Sequence, residues 1–233
     1  MPDRPAPDDR AELVVARARA YFDAFAHEYD EVATDAGWVP NDLLAEALGT
    51  VGPVRAALDV ACGTGATLGV VHRAFPGAAL TGVDVSAAML ERARSRVPDA
   101  TFVHADAARY AADTAAAGAL KPVARFDLVT AIGGLEFTAD LPAVLADLRR
   151  LVRPGGDLVA TYEPVIAGWD PQEAREETNL GSNGLELTTI RWEPDDVMPG
   201  FADWTEVRSL EVAAYRRDGV PTVYHWLHVR RGA

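Results

Sequence analysis

The chain has 233 residues, of which 49% are hydrophobic, and a formal net charge of -13. This length and composition are sufficient for one full core, so we expect a single domain over residues 12–233. The negative charge opposes binding to nucleic-acid backbones. No apolar run is long enough to span a membrane, and the N-terminal residues lack a signal-peptide pattern. We therefore expect a cytoplasmic protein that binds neither nucleic acid nor membrane.

The N-terminal part is predicted to be an arm followed by a helix. Residues 1–11 contain three prolines and mixed charge, which predicts a flexible arm. From Glu12 the apolar spacing is helical, and Tyr21, Phe25 and Tyr29 recur every four residues. Such a stripe is typical of a helix face that packs on a core.

A second helix is expected over residues 41–48, and a turn that contains two glycines then follows the first strand. Residues 58–65 have the sequence Leu-Asp-Val-Ala-Cys-Gly-Thr-Gly. Gly63 and Gly65 can adopt positive φ and let a ligand approach the backbone, and the next helix begins with free N–H groups. The turn is therefore a predicted ligand site. Cys62, the single cysteine, is interpreted as a small side chain that fills space; it allows no internal disulfide and no metal cluster.

The residues around this turn narrow the choice of ligand. A dinucleotide fingerprint has a third glycine where Leu68 stands, and a phosphate loop needs a lysine that is absent here. Asp59 would repel a phosphate but favour a ligand with an ammonium group. A cationic amino-acid cofactor therefore fits better than a nucleotide phosphate.

Acidic residues also follow the next two predicted strands. The strand Leu80–Asp84 ends on Asp84, and Ser86 is a suitable N-cap for the helix behind it. A strand near Thr101–Val103 leads to Asp106. Because ligands bind at the carboxyl ends of parallel strands, these carboxylates and Asp59 predict one binding site.

Residues 58–65, 82–86 and 105–107 resemble the motifs of class I S-adenosylmethionine-dependent methyltransferases, and the resemblance extends over roughly residues 20–162. It implies that the first turn surrounds the methionine part of the cofactor. It also implies that Asp84 accepts the ribose hydroxyls and that Asp106 faces the adenine amino group. The family often lays an N-terminal helix across the cofactor. The resemblance departs at Ala61, where the family more often has glycine. The implied cofactor-binding residues are Tyr29, Asp59, Ala61, Gly63, Gly65, Asp84, Val85, Met89, Asp106 and Ala107.

The second half of the chain completes the predicted fold. A strand over 126–132 leads to the rim 133–137, Gly-Gly-Leu-Glu-Phe, which lacks the Asn/Asp-Pro-Pro-aromatic motif of amino methyltransferases that act on DNA bases or glutamine. Alternating strands and helices predict an α/β fold with a doubly wound, mostly parallel sheet. The runs 204–215 and 222–229 flank an Asp-Gly turn and predict an antiparallel hairpin. This agrees with the seven-stranded Rossmann-like sheet that the resemblance implies.

Residues 163–203 contain ten acidic residues and two arginines, a net charge of -8. Long connections at the carboxyl edge of a sheet commonly form lids, so this segment is a predicted substrate lid. Tyr215, Tyr224 and Trp226 of the hairpin are expected to close over the acceptor with it. The charge favours a neutral or cationic acceptor.

The sequence therefore predicts an enzyme that transfers a methyl group from S-adenosylmethionine to oxygen, nitrogen or activated carbon of a small molecule. Candidates for a general base are Glu136, His27 and His225. An alternative is a protein of the same fold that binds the cofactor without methylating, such as a cyclase or sensor. A nicotinamide-dependent reductase is disfavoured by Leu68 and Asp59.

Overall fold

The computed structural model describes residues 7–118, 126–168, 174–181, 183–217 and 219–233. Within these ranges, no helix has the length and apolar character needed to cross a membrane.

In the described ranges, nine strands form two sheets. In chain order they are β1 Ala56–Val60, β2 Ala79–Asp84, β3 Thr101–His104, β4 Phe126–Ala131, β5 Val152–Tyr162, β6 Glu176–Leu180, β7 Glu186–Ile190, β8 Thr205–Arg217 and β9 Val220–Arg230. The main sheet has the order β3-β2-β1-β4-β5-β9-β8. Strands β1 to β5 are parallel, and β9 is antiparallel to both β5 and β8. The predicted seven-stranded, mostly parallel sheet is confirmed.

Helices cover both faces of this sheet. They are α1 Pro7–Phe25, α2 Tyr29–Asp35, α3 Pro40–Leu48, α4 Ala66–Ala74, α5 Ala87–Arg96, α6 Ala107–Gly118, α7 Leu141–Leu151 and the short α8 Pro194–Val197, with 3-10 turns at Leu135–Phe137 and Met198–Phe201. Alternate strand residues face opposite layers. Leu58 belongs to the core beneath α6 and α7, whereas Ala57 belongs to the core beneath α3 and α4.

The N-terminal part differs from the prediction in two ways. The helix α1 begins at Pro7, so the predicted arm is wrong for residues 7–11; proline suits a first helical turn because it lacks an N–H group. The predicted single helix is also divided, since turns separate α1 from α2 at residues 26–28. The aromatic stripe continues across the break: the ring centroids of Phe25 and Tyr29 are 5.8 Å apart.

The segment 163–203 contributes a second, two-stranded sheet, in which β6 and β7 pair antiparallel. This hairpin packs on α1, where Arg17 donates a hydrogen bond of 2.9 Å to Thr188 and forms an ion pair with Glu186. A buried ion pair of 3.1 Å between Arg191 and Glu163 joins the hairpin to the end of β5. The described part of the segment therefore packs against α1 and helps to hold it in place.

Candidate functional site

A cavity of about 560 Å³ lies at the carboxyl ends of the central strands, beneath the N-terminal helices. This volume is within the range of small-molecule sites, roughly 300–1,000 Å³. Its lining includes helical residues and residues from the ends of β1, β2, β3 and β4. The lining residues used below are Phe22, Tyr29, Asp30, Trp38, Asp42, Ala61, Gly63, Thr64, Asp84, Val85, Met89, Arg96, Asp106, Ala107, Gly133, Gly134, Phe137 and Thr138.

Asp84 fixes the conformation of the turn after β1 through a hydrogen bond. Ala61, Gly63 and Gly65 have φ values of 55, 51 and 77°. The carboxylate of Asp84 accepts a 2.8 Å hydrogen bond from the backbone N–H of Gly63 and another of 2.8 Å from that of Ser86. One side chain thus fixes the turns after both β1 and β2. A carboxylate has about four acceptor positions, so Asp84 retains capacity for ligand hydroxyls.

Gly65 has a packing role that the sequence did not reveal. A methyl group at this position would place its carbon 3.1 Å from Cβ of Ala93 on α5. The glycine therefore allows the start of α4 to approach α5 closely, and it does not line the cavity.

Asp59 is buried directly behind the turn, and no cationic side chain of the described residues pairs with it. Its Oδ1 accepts a 2.7 Å hydrogen bond from Thr130, while its Oδ2 has no hydrogen-bond partner among the described residues. Burial raises the pKa of Asp59 to about 8; the Thr130 bond opposes this rise, and the nearby Asp84 charge adds to it. An ammonium group near the turn would stabilise the ionised form.

The helices above the cavity are tied to its floor by two aspartates. Asp30 on α2 accepts hydrogen bonds of 2.6 Å from Thr64 and 2.8 Å from Arg96. Burial raises the pKa of Asp30, but hydrogen bonds from Thr64, Arg96 and Arg92 outweigh it and lower the pKa overall. Ser86 donates a 2.6 Å hydrogen bond to Asp23 on α1. These contacts hold α1 and α2 over the site.

Aromatic rings form part of the cavity wall. The ring of Phe22 lies 5.3 Å from Phe137 and 6.2 Å from Tyr29, measured between centroids. The indole of Trp38 is 5.8 Å from Tyr215 and 5.9 Å from Tyr224. Tyr215 and Tyr224 thus lie behind Trp38, near the predicted acceptor end.

Glu136 is buried beside this aromatic wall. Its Oε1 accepts a 2.5 Å hydrogen bond from the hydroxyl of Tyr224, and its Oε2 has no hydrogen-bond partner in the described part of the chain. Burial raises the pKa of Glu136 to about 7, and the charge of Glu163 adds to the rise, while the Tyr224 bond opposes it. The carboxyl group therefore titrates much closer to neutral pH than an ordinary glutamate does.

The central part of the chain is similar to known methyltransferases. Residues 58–158 match the model of a methyltransferase domain. Over 101 residues the chain is 37% identical to trans-aconitate 2-methyltransferase of Paracidovorax citrulli, covering 43% of this chain and 36% of that protein. It is 34% identical over 100 residues to the enzyme of that name from Escherichia coli O1:K1, again covering 43% and 36%. The chain thus spans little more than a third of these relatives.

Solved structures extend the likeness to the whole fold. A Burkholderia thailandensis 1,6-didemethyltoxoflavin-N1-methyltransferase, solved with 1,6-didemethyltoxoflavin and S-adenosylhomocysteine, superposes with a TM-score of 0.64 at 19% identity, covering 100% of this chain and 93% of that one. The magnesium protoporphyrin IX methyltransferase of Synechocystis PCC 6803 gives 0.62 at 14% identity, covering 94% and 97%. Residues 58–158 thus resemble a methyltransferase domain, and the chain shares the fold of these solved methyltransferases.

Most of the predicted cofactor residues come together in the cavity. Those that line it are Tyr29, Ala61, Gly63, Asp84, Val85, Met89, Asp106 and Ala107. Asp59 and Gly65 lie behind the lining, as described above. The open turn, the Asp59 oxygen that has no partner among the described residues and the spare acceptor positions of Asp84 would suit the ammonium and hydroxyl groups of S-adenosylmethionine.

Two of the predicted bases, His27 and His225, do not line the cavity. His27 is exposed in the break between α1 and α2, and its ring contacts the carbonyl of Ala24. His225 follows Tyr224 on β9 and therefore faces the opposite side of the sheet, where its Nε2 lies 2.8 Å from Ser209 Oγ. Burial lowers the pKa of His225. Glu136 is also outside the lining but lies between two residues, Leu135 and Phe137, of the rim.

None of the three hairpin residues predicted to close over the acceptor, Tyr215, Tyr224 and Trp226, lines the cavity, and several lining residues were not anticipated. Trp226 is 1% exposed within the core beneath α3 and α4, because its strand position faces that layer. The unanticipated residues include Asp30, Trp38 and Arg96. Trp38 follows Gly37 in a connection with no local pattern, so only tertiary packing reveals its place.

Proposed function

We propose that the chain is an S-adenosylmethionine-dependent methyltransferase that acts on oxygen, nitrogen or activated carbon of a small molecule. The observation that carries the proposal is the convergence of Asp84, Asp106 and the turn after β1 in one cavity at the carboxyl edge of the sheet. Three neighbouring strand ends supply these groups, as expected for a ligand site in an open parallel sheet.

The residues of the cavity would hold the cofactor from both ends. Asp84 would accept the ribose hydroxyls, and Asp106 would accept from the adenine amino group. The turn, backed by Asp59, would hold the methionine part. When bound, the cofactor supplies an electrophilic methyl group. The chain aligns the acceptor with that methyl, and alignment alone can lower a barrier by roughly 7–11 kcal/mol.

The charge of the cavity favours a neutral or cationic acceptor. Its lining includes Asp30, Asp42, Asp84 and Asp106 but, among the described residues, one basic side chain, Arg96. The guanidinium of Arg96 already donates to Asp30 and to Thr64. A polycarboxylate such as the trans-aconitate named for the relatives would thus meet like charges without a cation available to it.

Glu136 is the proposed proton acceptor for an O–H or N–H nucleophile. A base must have a pKa near the working pH and a free acceptor atom. Glu136 has a pKa of about 7 and an Oε2 without a partner among the described residues. Its place on the rim after β4, next to Phe137, is where the acceptor would meet the methyl group. The proton would move from the nucleophile to Oε2 as the new bond to carbon forms.

Methyl-labelled S-adenosylmethionine and a metabolite extract separated into cationic, neutral and anionic fractions would test this proposal. We expect label in a product from the cationic or neutral fraction and none on purified trans-aconitate. Asp84→Ala is the matched negative control. Label on trans-aconitate or another polyanion would overturn the proposed acceptor class, and no label in any fraction would overturn the enzymatic activity.

A further inference from the structure

Helix α1 lies between the cavity and the β6–β7 hairpin. The residues of α1 that line the cavity are Val15, Ala18 and Phe22, which helical spacing places on one face. Arg17 and Tyr21 lie on a neighbouring face and contact the hairpin. No described residue of the hairpin itself lines the cavity. An effect of the hairpin on a ligand in the cavity is therefore indirect, and α1 is a route for it.

Arg17 makes the central contact between α1 and the hairpin. Its guanidinium donates a 2.9 Å hydrogen bond to the hydroxyl of Thr188 and forms an ion pair with Glu186. Thr188 on β7 pairs with Thr178 on β6, and the hydroxyl oxygens of these two threonines are 2.8 Å apart. Arg17 thus binds the hairpin at a point where its two strands are also joined by side chains.

Contacts on either side of Arg17 extend this attachment along α1. Arg10 forms an ion pair with Glu176 on β6. The ring of Tyr21 packs against Gly181 at the hairpin turn, because a methyl group at position 181 would place its carbon 2.3 Å from that ring. Residues 10, 17 and 21 therefore attach α1 to the hairpin over about three helical turns.

The base of the hairpin is fixed to the main sheet. A buried ion pair of 3.1 Å joins Arg191, just after β7, to Glu163, just after β5. The backbone N–H of Trp192 also donates a 3.1 Å hydrogen bond to the carbonyl of Glu163. With its base on the sheet and its strands on α1, the hairpin ties the helix that covers the cavity to the sheet that forms its floor.

We infer that the β6–β7 hairpin retains the cofactor by holding α1 over the cavity, and that Arg17 is the positioning residue of this contact. The inference rests on the proposed function, because it assumes that S-adenosylmethionine occupies the cavity. A ligand beneath α1 leaves when the helix moves away, and the contacts with the hairpin oppose that movement. Partly exposed ion pairs are individually weak, so those of Arg10 and Arg17 have to be removed together for a clear effect.

Surface plasmon resonance with the immobilised full chain and S-adenosylhomocysteine tests the inference without an identified acceptor. Arg10→Ala combined with Arg17→Ala should raise the dissociation rate by about five- to tenfold and leave the association rate within about threefold. Salt should accelerate dissociation from the wild type more than from this double variant, because it screens the two ion pairs. Arg149→Ala combined with Arg150→Ala is the matched control: it removes two ion pairs on α7, outside the cavity lining, and should keep the wild-type rates.

A steric variant tests the contact between α1 and the hairpin turn. Gly181→Ala should push the turn away from Tyr21 and raise the dissociation rate by about threefold or more. Gly200→Ala is its control in the same segment, because a methyl group there meets no atom within 4 Å. Hydrogen exchange of the ligand-free Gly181→Ala chain should rise in α1 and stay unchanged in the central strands.

The outcomes separate this inference from the proposed function. If the Arg10 and Arg17 double variant releases S-adenosylhomocysteine no faster than the α7 control, the inference is overturned and the proposed function is untouched. Faster hydrogen exchange in α1 without faster dissociation overturns it equally, because the helix would then be loosened without effect on the ligand. If S-adenosylhomocysteine does not bind the folded wild type, both the inference and the proposed function are overturned.

Discussion

The hydroxyl of Tyr224 donates a 2.5 Å hydrogen bond to Oε1 of Glu136, which joins β9 to the rim after β4 across 88 residues of sequence. Both side chains are about 2% exposed. The bond fixes the orientation of a carboxyl group whose second oxygen, Oε2, has no partner among the described residues. This relationship supports the proposal of a proton acceptor, because one oxygen is anchored and the other is buried without a hydrogen-bond partner in the described part of the chain.

Glu136→Gln should lower turnover and leave the affinity for S-adenosylmethionine within a few fold. A lost general base costs about 10²–10⁴-fold in rate, whereas the cofactor does not depend on this side chain. Wild-type turnover should rise with pH as Glu136 ionises near pH 7, and this limb should be absent from Glu136→Gln.

Tyr224→Phe is the companion variant for the pH profile. The Tyr224 bond lowers the pKa of Glu136, so its removal should move the ascending limb of the profile to higher pH while turnover at high pH is largely kept. If Glu136→Gln has wild-type turnover at every pH, Glu136 is not a base and alignment alone accounts for catalysis.

Binding of S-adenosylmethionine should release a proton from Asp59. The buried carboxyl has a pKa of about 8 and is mostly protonated at pH 7, and the ligand ammonium favours the ionised form and lowers that pKa. Affinity should therefore rise with pH between about 6 and 8, approaching tenfold per unit. Calorimetry in buffers of different ionisation enthalpy should show close to one proton released.

Two controls test whether the released proton comes from Asp59. Asp59→Asn should bind more weakly and release no proton, and 5′-methylthioadenosine, which lacks the amino-acid part, should release none from the wild type. Equal proton release by the two ligands would place the ammonium group away from Asp59.

Asp84→Ala should weaken S-adenosylmethionine by about 10- to 150-fold, since hydrogen bonds to a charged acceptor contribute roughly 1.5–3 kcal/mol. The variant should also lose thermal stability, because Gly63 and Ser86 lose their acceptor. 5′-Methylthioadenosine keeps the ribose, so its affinity for Asp84→Ala should fall by a factor similar to that for S-adenosylmethionine. This comparison separates the lost ribose contact from the lost stability. A change below about threefold in a folded variant would remove Asp84 from the ribose site.

The sequence predicted the centre of the fold well because local and global signals agree there. Local patterns there each predict one structure: the glycines predict a turn after β1, Asp84 marks the end of β2, and Ser86 predicts a helix N-cap. Ser86 does accept a hydrogen bond from the N–H of Met89. The same agreement brought most of the predicted cofactor residues to one cavity, because they follow strand ends that parallel pairing brings together.

The sequence failed where contacts between distant residues decide the structure. The aromatic stripe through Tyr29 has helical spacing on both sides of the break, so it concealed the division of α1 from α2. The β6–β7 hairpin lies in an acidic segment, and only the short β-branched run Thr188–Ile190 indicated a strand. The predicted lid over residues 163–203 stays a prediction, although none of its described residues lines the cavity.

Asp30→Ala combined with Asp23→Ala should loosen α1 and α2 from the cofactor site. The two carboxylates accept hydrogen bonds from Thr64, Arg96 and Ser86. Removing the carboxylates should therefore release α1 and α2 from the site while the central sheet stays buried. Cofactor dissociation should accelerate by about tenfold or more, and hydrogen exchange should rise in residues 7–35.

Asp42→Ala, an acidic lining residue for which the structure shows no ion pair among the described residues, is the matched control for lost charge. If both variants release the cofactor at the same rate, the aspartates act through charge alone and do not fasten the helices.

The most direct test of the account measures S-adenosylhomocysteine formed from S-adenosylmethionine by mass spectrometry, with and without the cationic and neutral metabolite fractions. We predict that the wild type forms S-adenosylhomocysteine over several turnovers, and only when a fraction is added. Asp84→Ala at the same cofactor concentration should form far less S-adenosylhomocysteine. If the wild type binds S-adenosylmethionine but forms no S-adenosylhomocysteine with any fraction, the chain is a cofactor-binding protein and the proposed methyl transfer is wrong.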